Sequence, residues 1–348
     1  MPTTAGPGTA RPIRWTCSTA ARWACPIAGI SDDVTMQEDH VPGFTRRGIL
    51  AAGLAMPFLG TRAWAGTVHE AKILQSEILG HVVGYSLYLP PDYRGGSRRY
   101  PVIYLLHGAG DGQPADWFRM AGIDILLDRL IGDGRMPPCI AVAPDGRRPG
   151  GDPRATYFLD DADGGYRWRS MFFDEFVPRV EATHQAIGTA GTRALLGLSM
   201  GGHAAILNQL QRPDLFAGAA ALSAALRTPA QLAAMDPQAF DLRFAGAYGP
   251  GLLGEDRLNE AWRISDPVEA AARVDPKPFR RIPRLYLDLA SGDPFFEGNA
   301  AAHVALDRAG ILHRFQVREG DHDWIFWRNA LPAALEHVGR IFTRGYGE

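Results

Sequence analysis

The chain has 348 residues, of which 46% are hydrophobic and 21% are charged, proportions that are ordinary for a globular protein. Its formal net charge of −2, without a basic block, argues against nucleic acid as a partner. The three cysteines, Cys17, Cys25 and Cys139, form no C-x-x-C pair. We therefore expect neither a disulfide framework nor a metal site, and no motif indicates a cofactor.

The amino-terminal region resembles an export signal. A twin-arginine pair at 46–47 precedes an apolar stretch over 49–60 and A-W-A at 63–65, directly before Gly66. A basic start, an apolar core and an A-x-A site define such signals, and paired arginines are typical of the twin-arginine type. Because the apolar stretch is short and contains Pro57, we expect no membrane anchor after cleavage and a periplasmic or secreted location.

The position of this signal also predicts how the chain is divided. Export signals begin near the start of translation, and Met36 opens an amino-terminal region of ordinary length. We therefore predict a mis-assigned extension over 1–35, a twin-arginine-type export signal over 36–65 and one α/β domain over 66–348.

Within 66–348, apolar and alternating runs predict strands that alternate with helices. The predicted strands cover residues 68–78, 81–89, 100–106, 139–144, 194–196, 216–222, 284–289 and 313–317. The predicted helices cover residues 123–131, 167–183, 204–207, 299–309 and 324–342. The first two strands form an edge hairpin, residues 150–166 form a loop near the site, and 226–282 is a helical excursion or cap. This alternation predicts a mostly parallel central sheet with helices on both faces.

Residues 197–201 read G-L-S-M-G and place a serine between an apolar strand and a helix. Gly197, Ser199 and Gly201 have the spacing of a nucleophile elbow, in which glycines allow the helix to turn back against the strand. The same letters occur by chance in many chains. The alternative is a glycine-rich turn whose serine caps the following helix.

Three predicted strand ends carry reactive groups, and ligands of open parallel sheets bind at such ends. Ser199, Asp293 and His322 follow one another in the serine, acid, histidine order of the α/β-hydrolase fold. A serine hydroxyl is a poor nucleophile unless an imidazole accepts its proton, and the imidazole needs a carboxylate on its other nitrogen. We therefore predict Ser199 as nucleophile, His322 as base and Asp293 as the acid.

The acid has alternatives. Asp293 precedes a proline, so a role in forming a turn would also explain it. Asp288, Asp321 and Asp323 compete with it, but Asp288 lies inside a predicted strand. The other two are sequence neighbours of the histidine and poorly placed to meet its ring.

Backbone amides at two places are candidates for stabilising an oxyanion. The elbow contributes the amide of Met200, and the H-G-A-G loop after strand 100–106 contributes another. We select Ala109, with Gly108 and Gly110 as alternatives. An ordinary strand-to-loop turn would need the same glycines.

Aromatic residues crowd the predicted site loops. They are Trp117, Phe118, Tyr166, Trp168, Phe295, Trp324 and Trp327. They predict an apolar acyl or aryl pocket, and we select Trp117, Trp324 and Tyr166 as substrate-binding residues. Core packing is the alternative, and it is favoured for Trp327.

Read in order, these motifs are similar to those of the bacterial putative-esterase family of α/β-hydrolases. The motifs are L-L-H-G-A-G-D, D-W-F, F-D-E-F-V-P, G-L-S-M-G-G, S-G-D-P-F and G-D-H-D-W-I-F-W. The family includes feruloyl and acetyl-xylan esterases, S-formylglutathione hydrolases and antigen 85-type mycolyltransferases. The resemblance implies the same roles for Ser199, Asp293 and His322, and oxyanion donation from Ala109. The 226–282 segment aligns with no one subfamily.

The sequence therefore predicts an exported serine carboxylesterase acting on a small-molecule or polysaccharide-linked ester. Two alternatives remain open: an acyltransferase that moves the acyl group to a carbohydrate, and a non-catalytic binding module on the hydrolase fold. Feruloyl, acetyl, longer acyl and thioester substrates are all compatible with the motifs.

Overall fold

The structure is a computed structural model that describes residues 65–94 and 96–345. The predicted extension over 1–35 lies outside the described residues, as does almost all of the predicted export signal. Among the helices that are described, none is both long and apolar enough to cross a bilayer.

One eight-stranded sheet forms the centre of the described region. Its strands are β1 (Thr67–Gln75), β2 (Val82–Leu89), β3 (Val102–Leu106), β4 (Ile140–Pro144), β5 (Arg193–Leu198), β6 (Gly218–Leu222), β7 (Leu285–Ala290) and β8 (His313–Arg318). Their order is β1-β2-β4-β3-β5-β6-β7-β8. β1 and β2 pair antiparallel at one edge, whereas β4, β3, β5, β6, β7 and β8 run parallel. The predicted edge hairpin and mostly parallel sheet are confirmed.

Helices connect the strands and cover both faces of the sheet. They are α1 (Asp116–Arg119), α2 (Ile123–Gly132), α3 (Trp168–Met171), α4 (Val177–Thr183), α5 (Met200–Gln211), α6 (Pro229–Ala233), α7 (Pro237–Tyr248), α8 (Glu260–Ser265), α9 (Pro267–Ala271), α10 (Phe296–Arg308) and α11 (Trp324–Gly345). The helix predicted over 167–183 forms as α3 and α4, joined by a π-helical turn at Phe172–Phe176. The 226–282 segment contains α6 to α9, as expected of a helical excursion.

The central strand β3 shows why the sheet needs continuous apolar runs. Val102, Tyr104 and Leu106 belong to the core cluster that also contains the buried residues of α5. Ile103 and Leu105 belong to the cluster on the other face, with the buried residues of α2 and α11. Because successive side chains point to opposite faces, a strand covered on both sides must be apolar at every position.

The excursion is part of the same core. Phe240, Phe244 and Trp262 are buried within the cluster that contains α5. The helices of the excursion therefore rest on the face of the sheet that also supports the elbow helix, close to the carboxyl ends of the strands.

Candidate active site

The turn between β5 and α5 holds Ser199 in a conformation that non-glycine residues seldom adopt. Its backbone angles are φ 53° and ψ −117°. A Cβ atom at Gly197 would lie 2.0 Å from the Gly201 carbonyl oxygen, and one at Gly201 would lie 2.0 Å from the Leu106 carbonyl oxygen. Both glycines are therefore required by the close approach of three backbone segments, as a nucleophile elbow demands.

Backbone hydrogen bonds hold this turn in place. The Ser199 amide donates to the Leu222 carbonyl at 2.9 Å, and its carbonyl accepts from the amides of His203 at 3.1 Å and Ala225 at 2.9 Å. A strained backbone persists only where the surrounding structure over-determines it, and these bonds supply that constraint. The serine side chain consequently projects from a rigid support.

The structure brings the three predicted catalytic side chains into one hydrogen-bonded relay. His322 Nε2 lies 3.0 Å from Ser199 Oγ, and His322 Nδ1 lies 3.0 Å from Asp293 Oδ2. Ser199 follows β5, Asp293 follows β7 and His322 follows β8, so parallel strands deliver all three groups to the same edge. A proton on Nδ1, held by the carboxylate, leaves Nε2 free to accept the serine proton.

The Asp293 side chain is fully buried, whereas that of His322 is 22% exposed. Burial acts to raise the pKa of Asp293. Hydrogen bonds from His322 and from the Phe295 amide contribute to holding that pKa below its ordinary value. Asp293 is therefore ionised at neutral pH, which an imidazolium partner requires.

Two of the three competing carboxylates have other partners, and the third is exposed. Asp288 Oδ2 accepts from Arg318 Nε at 2.8 Å, and Asp323 Oδ1 accepts from the Phe326 amide at 2.8 Å at the start of α11. Asp321 is exposed. In the described structure, the carboxylate bonded to the relay histidine is that of Asp293.

The H-G-A-G loop lies against the nucleophile. A Cβ atom at Gly108 would lie 3.7 Å from Ser199 Cβ, which places this loop beside the elbow. Ala109, at the exposed surface, and Met200 line the same cleft. Met200 is the first residue of α5, where helix amides have no carbonyl partner within the helix. The two predicted oxyanion donors therefore belong to segments that adjoin Ser199.

His107 orients the first of these two donors. The Gly146 amide donates to His107 Nε2 at 2.9 Å, so the proton lies on Nδ1, which donates to the Gly108 carbonyl at 2.7 Å. That carbonyl belongs to the peptide unit whose N–H is the Ala109 amide. Because a trans peptide is planar, holding its C=O also aims its N–H.

An open cleft of about 600 Å³ extends from this loop. Its lining includes the H-G-A-G loop, Met200, Tyr166 and much of the 145–155 loop. Arg147 and Arg154 lie along it, each paired with a carboxylate of its own loop. The cleft next to the oxyanion donors is therefore polar and locally charge-balanced.

Comparison with known proteins places the chain in a family. A family model described as "Putative esterase" matches residues 76–338. Esterase Rv1288 from Mycobacterium tuberculosis (strain ATCC 25618 / H37Rv) is 29% identical over 265 residues, which cover 71% of this chain and 54% of that protein. The endo-1,4-beta-xylanase/feruloyl esterase of Xylanibacter ruminicola is 30% identical over 178 residues, or 49% of this chain and 23% of that protein. A solved ferulic acid esterase is 28% identical, with a TM-score of 0.67 over 80% of this chain and 99% of its own.

The family match spans well over half of the chain and includes Ser199, Asp293 and His322. The chain belongs to this esterase family. The resemblance and the α/β-hydrolase fold inferred from the motifs are confirmed. The chain spans about half the length of the mycobacterial relative.

Of the three aromatic residues selected for substrate binding in this family member, Tyr166 lines the cleft. The expectation for Trp117 is corrected, because its side chain is fully buried in the core that contains α2 and α11. Trp324 is half-buried and packs edge-on against Trp327 at a centroid distance of 5.0 Å. Trp327 is itself buried and packs edge-on against His322 at 5.1 Å.

Arg227 lies near the relay and was not identified from the sequence. Its guanidinium carbon is 4.6 Å from the ring centroid of Phe295, a ring that packs edge-on against His322 at 5.0 Å. Its Nη1 donates to the Tyr157 hydroxyl at 3.1 Å, and Phe244 of α7 lies on its other side. Arg227 occurs in the irregular 226–282 segment, where no periodicity or motif distinguishes one arginine from another.

Replacing His107 by alanine is expected to lower kcat about 10- to 100-fold with little change in KM, because an oxyanion donor contributes about 10²–10³ and here only its orientation is lost. A trifluoromethyl ketone, which forms an oxyanion on the enzyme, should bind correspondingly more weakly. His69→Ala, at an exposed histidine of β1, is the matched control. If His107→Ala weakened the binding of substrate and of the ketone by the same factor, the role of His107 would be merely structural.

Proposed function

We propose that this protein is an exported carboxylesterase that forms an acyl-enzyme on Ser199. The observation that carries the proposal is the continuous relay from Ser199 Oγ through His322 to Asp293, at 3.0 Å for each step. The family to which the chain belongs supports the same reaction class.

In the acylation step, Ser199 Oγ bonds to the ester carbonyl carbon while His322 Nε2 takes the hydroxyl proton. The imidazolium that forms is stabilised by the ionised Asp293. The carbonyl oxygen becomes an oxyanion, for which the amides of Ala109 and Met200 are the donors. When the intermediate collapses, the bond to the alcohol oxygen breaks, and that oxygen takes the proton back from Nε2.

Deacylation repeats these steps with water. His322 Nε2 accepts a proton from a water molecule as its oxygen bonds to the acyl carbon. Collapse of the second intermediate releases the acid and returns the proton to Ser199 Oγ. We place the alcohol part of the ester in the polar cleft, since it opens directly beside the H-G-A-G loop.

The same cleft is the observation that favours a second candidate, acyl transfer. A sugar hydroxyl bound there would replace water in the second half of the reaction, and the relay would serve without change. Analysis of the products formed with a sugar acceptor present separates the two outcomes: free acid alone indicates hydrolysis, and an acylated sugar indicates transfer.

A panel of esters on the chain that begins at Gly66 tests the proposal. The panel varies the acyl group (acetyl, butyryl, octanoyl, feruloyl) against one alcohol, and then varies the alcohol at constant acyl group. We expect at least one member to be hydrolysed, with an initial burst of alcohol equal to the enzyme concentration for an ester whose deacylation is slower than its acylation. If no ester is hydrolysed faster than in buffer, the chain is a binding module and the proposal is wrong.

We also propose that residues 36–65 direct export through a twin-arginine-type pathway and that the mature chain begins at Gly66. The proposal depends on the arginine pair, the apolar stretch and the A-W-A site. Mass spectrometry of the protein recovered from outside the cytoplasm should find Gly66 as its first residue. Recovery of the full-length chain from the cytoplasm alone would contradict it.

A further inference from the structure

The backbone of Gly66 is bound at a site that lies away from the catalytic relay. Its amide nitrogen donates to Asp128 Oδ1 at 2.8 Å. The Tyr88 hydroxyl donates to the same oxygen at 2.7 Å. Asp128 lies on α2 and Tyr88 on β2, so the carboxylate joins a helix, a strand and the start of β1. We call this group of residues the Gly66 site.

The Gly66 site accepts only glycine. A Cβ atom at this position would lie 2.3 Å from a ring carbon of Tyr88 and 2.5 Å from the Leu89 carbonyl oxygen. The Tyr88 ring is fully buried and the carbonyl is part of β2, so neither can move away at low cost. Ala65, the residue before it, is exposed. The chain therefore passes within a single peptide bond from an exposed residue to a half-buried one that has no room for a side chain.

Among the residues that the structure describes, no cationic side chain lies within ion-pair distance of the Asp128 carboxylate. In the described parts of the chain, the donors recorded at Asp128 are the Gly66 amide and the Tyr88 hydroxyl, both neutral, and no ion pair includes it. Burying a charge without a counter-charge is costly, and a partly buried carboxylate favours a cation beside it. The Gly66 nitrogen lies 2.8 Å from the carboxylate and would carry such a charge if it were a free amino terminus.

The sequence marks the same peptide bond independently. The A-W-A motif at 63–65 predicts cleavage directly before Gly66, and this prediction uses nothing of the fold. Hydrolysis of the Ala65–Gly66 bond would convert the Gly66 amide N–H into an ammonium group beside the Asp128 carboxylate.

We propose that Asp128 and Tyr88 form a binding site for the α-ammonium group of Gly66 that processing releases. The inference rests on the proposed export signal. A signal-peptidase-type endopeptidase adds water across the Ala65–Gly66 bond. The hydroxyl of the water bonds to the Ala65 carbonyl carbon as the C–N bond breaks, and Ala65 leaves as a carboxylate. The nitrogen keeps its one hydrogen and gains two protons, one from the water and one from the new carboxyl group, to become an ammonium group. The neutral hydrogen bond to Asp128 becomes a charge-assisted one, which is roughly twice as strong.

The ion pair between Gly66 and Asp128 would stabilise the amino-terminal end of the edge strand β1. This strand pairs on one side only and has mostly exposed or half-buried side chains, so its hold on the sheet is weak at its free end. An ion pair one residue before Thr67 anchors that end. Processing therefore stabilises the mature protein, in addition to removing the signal.

The test compares thermal unfolding of two chains, one beginning at Gly66 and one that retains Ala65. We expect the Gly66 chain to unfold about 1–2 °C higher, the shift that one charge-assisted hydrogen bond produces in a protein of this length. N-terminal acetylation of the Gly66 chain should remove the difference while leaving the rest of the chain unchanged. About 1 M salt should reduce it, because partly exposed ion pairs are screened.

Two variants locate the effect. Asp128→Asn is expected to reduce the difference between the two chains to less than about 0.5 °C, since a neutral amide cannot form the ion pair. Asp124→Asn, one turn earlier on α2, is the matched control and should leave the difference intact. The proposal is overturned if the two wild-type chains unfold together, if acetylation has no effect, or if Asp128→Asn preserves the difference.

Esterase activity and export are measured separately on the same proteins. Both chains should hydrolyse esters equally, so a failure of the catalytic proposal would leave the unfolding result unaffected. A mature protein that begins at a residue other than Gly66 would overturn the role of processing, even if the engineered chain shows the ion pair.

Discussion

Replacing Ser199 by alanine is expected to lower kcat for ester hydrolysis by about 10⁴- to 10⁶-fold, the loss seen when the nucleophile of such a relay is removed. The oxygen that would bond to the acyl carbon is absent, and His322 Nε2 loses its 3.0 Å partner. The residual rate should show no initial burst of alcohol, because no acyl-enzyme can form. Stopped-flow and steady-state assays of the best ester in the panel measure both effects.

Alanine adopts the same positive φ as Ser199 at similar cost, so thermal unfolding should change little. Ser291→Ala is the matched control, because Ser291 is an exposed serine of the turn that precedes Asp293. It should retain the wild-type rate. Hydrolysis by Ser199→Ala at more than a tenth of the wild-type rate would exclude an acyl-enzyme on this residue.

Replacing Asp293 by asparagine is expected to lower kcat by about 10⁴-fold, for a reason specific to the geometry of this carboxylate. Asp293 Oδ1 accepts the Phe295 amide at 2.9 Å, so the asparagine oxygen would take that position. Its NH₂ group would then face His322 Nδ1 and donate to it. The imidazole proton would be forced onto Nε2, which could no longer accept the proton of the serine hydroxyl.

Asp321→Asn removes an exposed carboxylate one residue from His322 and is the matched control. It should leave kcat within about twofold of wild type, since a surface charge near a site contributes little. A small loss in Asp293→Asn together with a large loss in Asp321→Asn would reverse the assignment of the acid. KM should change little in either variant, because neither carboxylate lines the cleft.

The nucleophile elbow could be predicted from the sequence because its conformation depends mainly on residues that are neighbours along the chain. A strand, a serine between two glycines and a helix must form a tight turn in which side chains at 197 and 201 would collide with backbone. The order of Ser199, Asp293 and His322 could also be predicted. Ser199 and Asp293 follow the buried apolar strands β5 and β7, and His322 follows β8, whose residues alternate between apolar and polar. Parallel strands then carry all three groups to one edge of the sheet.

The sequence could not show which aromatic side chains are buried and which line the cleft, because burial depends on contacts between segments that are distant along the chain. Trp117 follows a site loop in the chain, yet its side chain turns into the core against α2 and α11. Tyr166, in an irregular loop, lines the cleft. Arg227 lies beside Phe295 because of the path that the 226–282 segment takes through the fold. No periodicity in the sequence distinguishes these outcomes.

By itself, then, the sequence determined the alternating strands and helices, the nucleophile turn and the order of the relay, since each depends on neighbours along the chain. Only the tertiary structure decided which nitrogen of His107 carries a proton, which aromatic rings meet the cleft and which carboxylate binds Gly66. Those features depend on where separate segments come together, and the backbone amide of Gly66 reaches Asp128 across 62 positions of the chain.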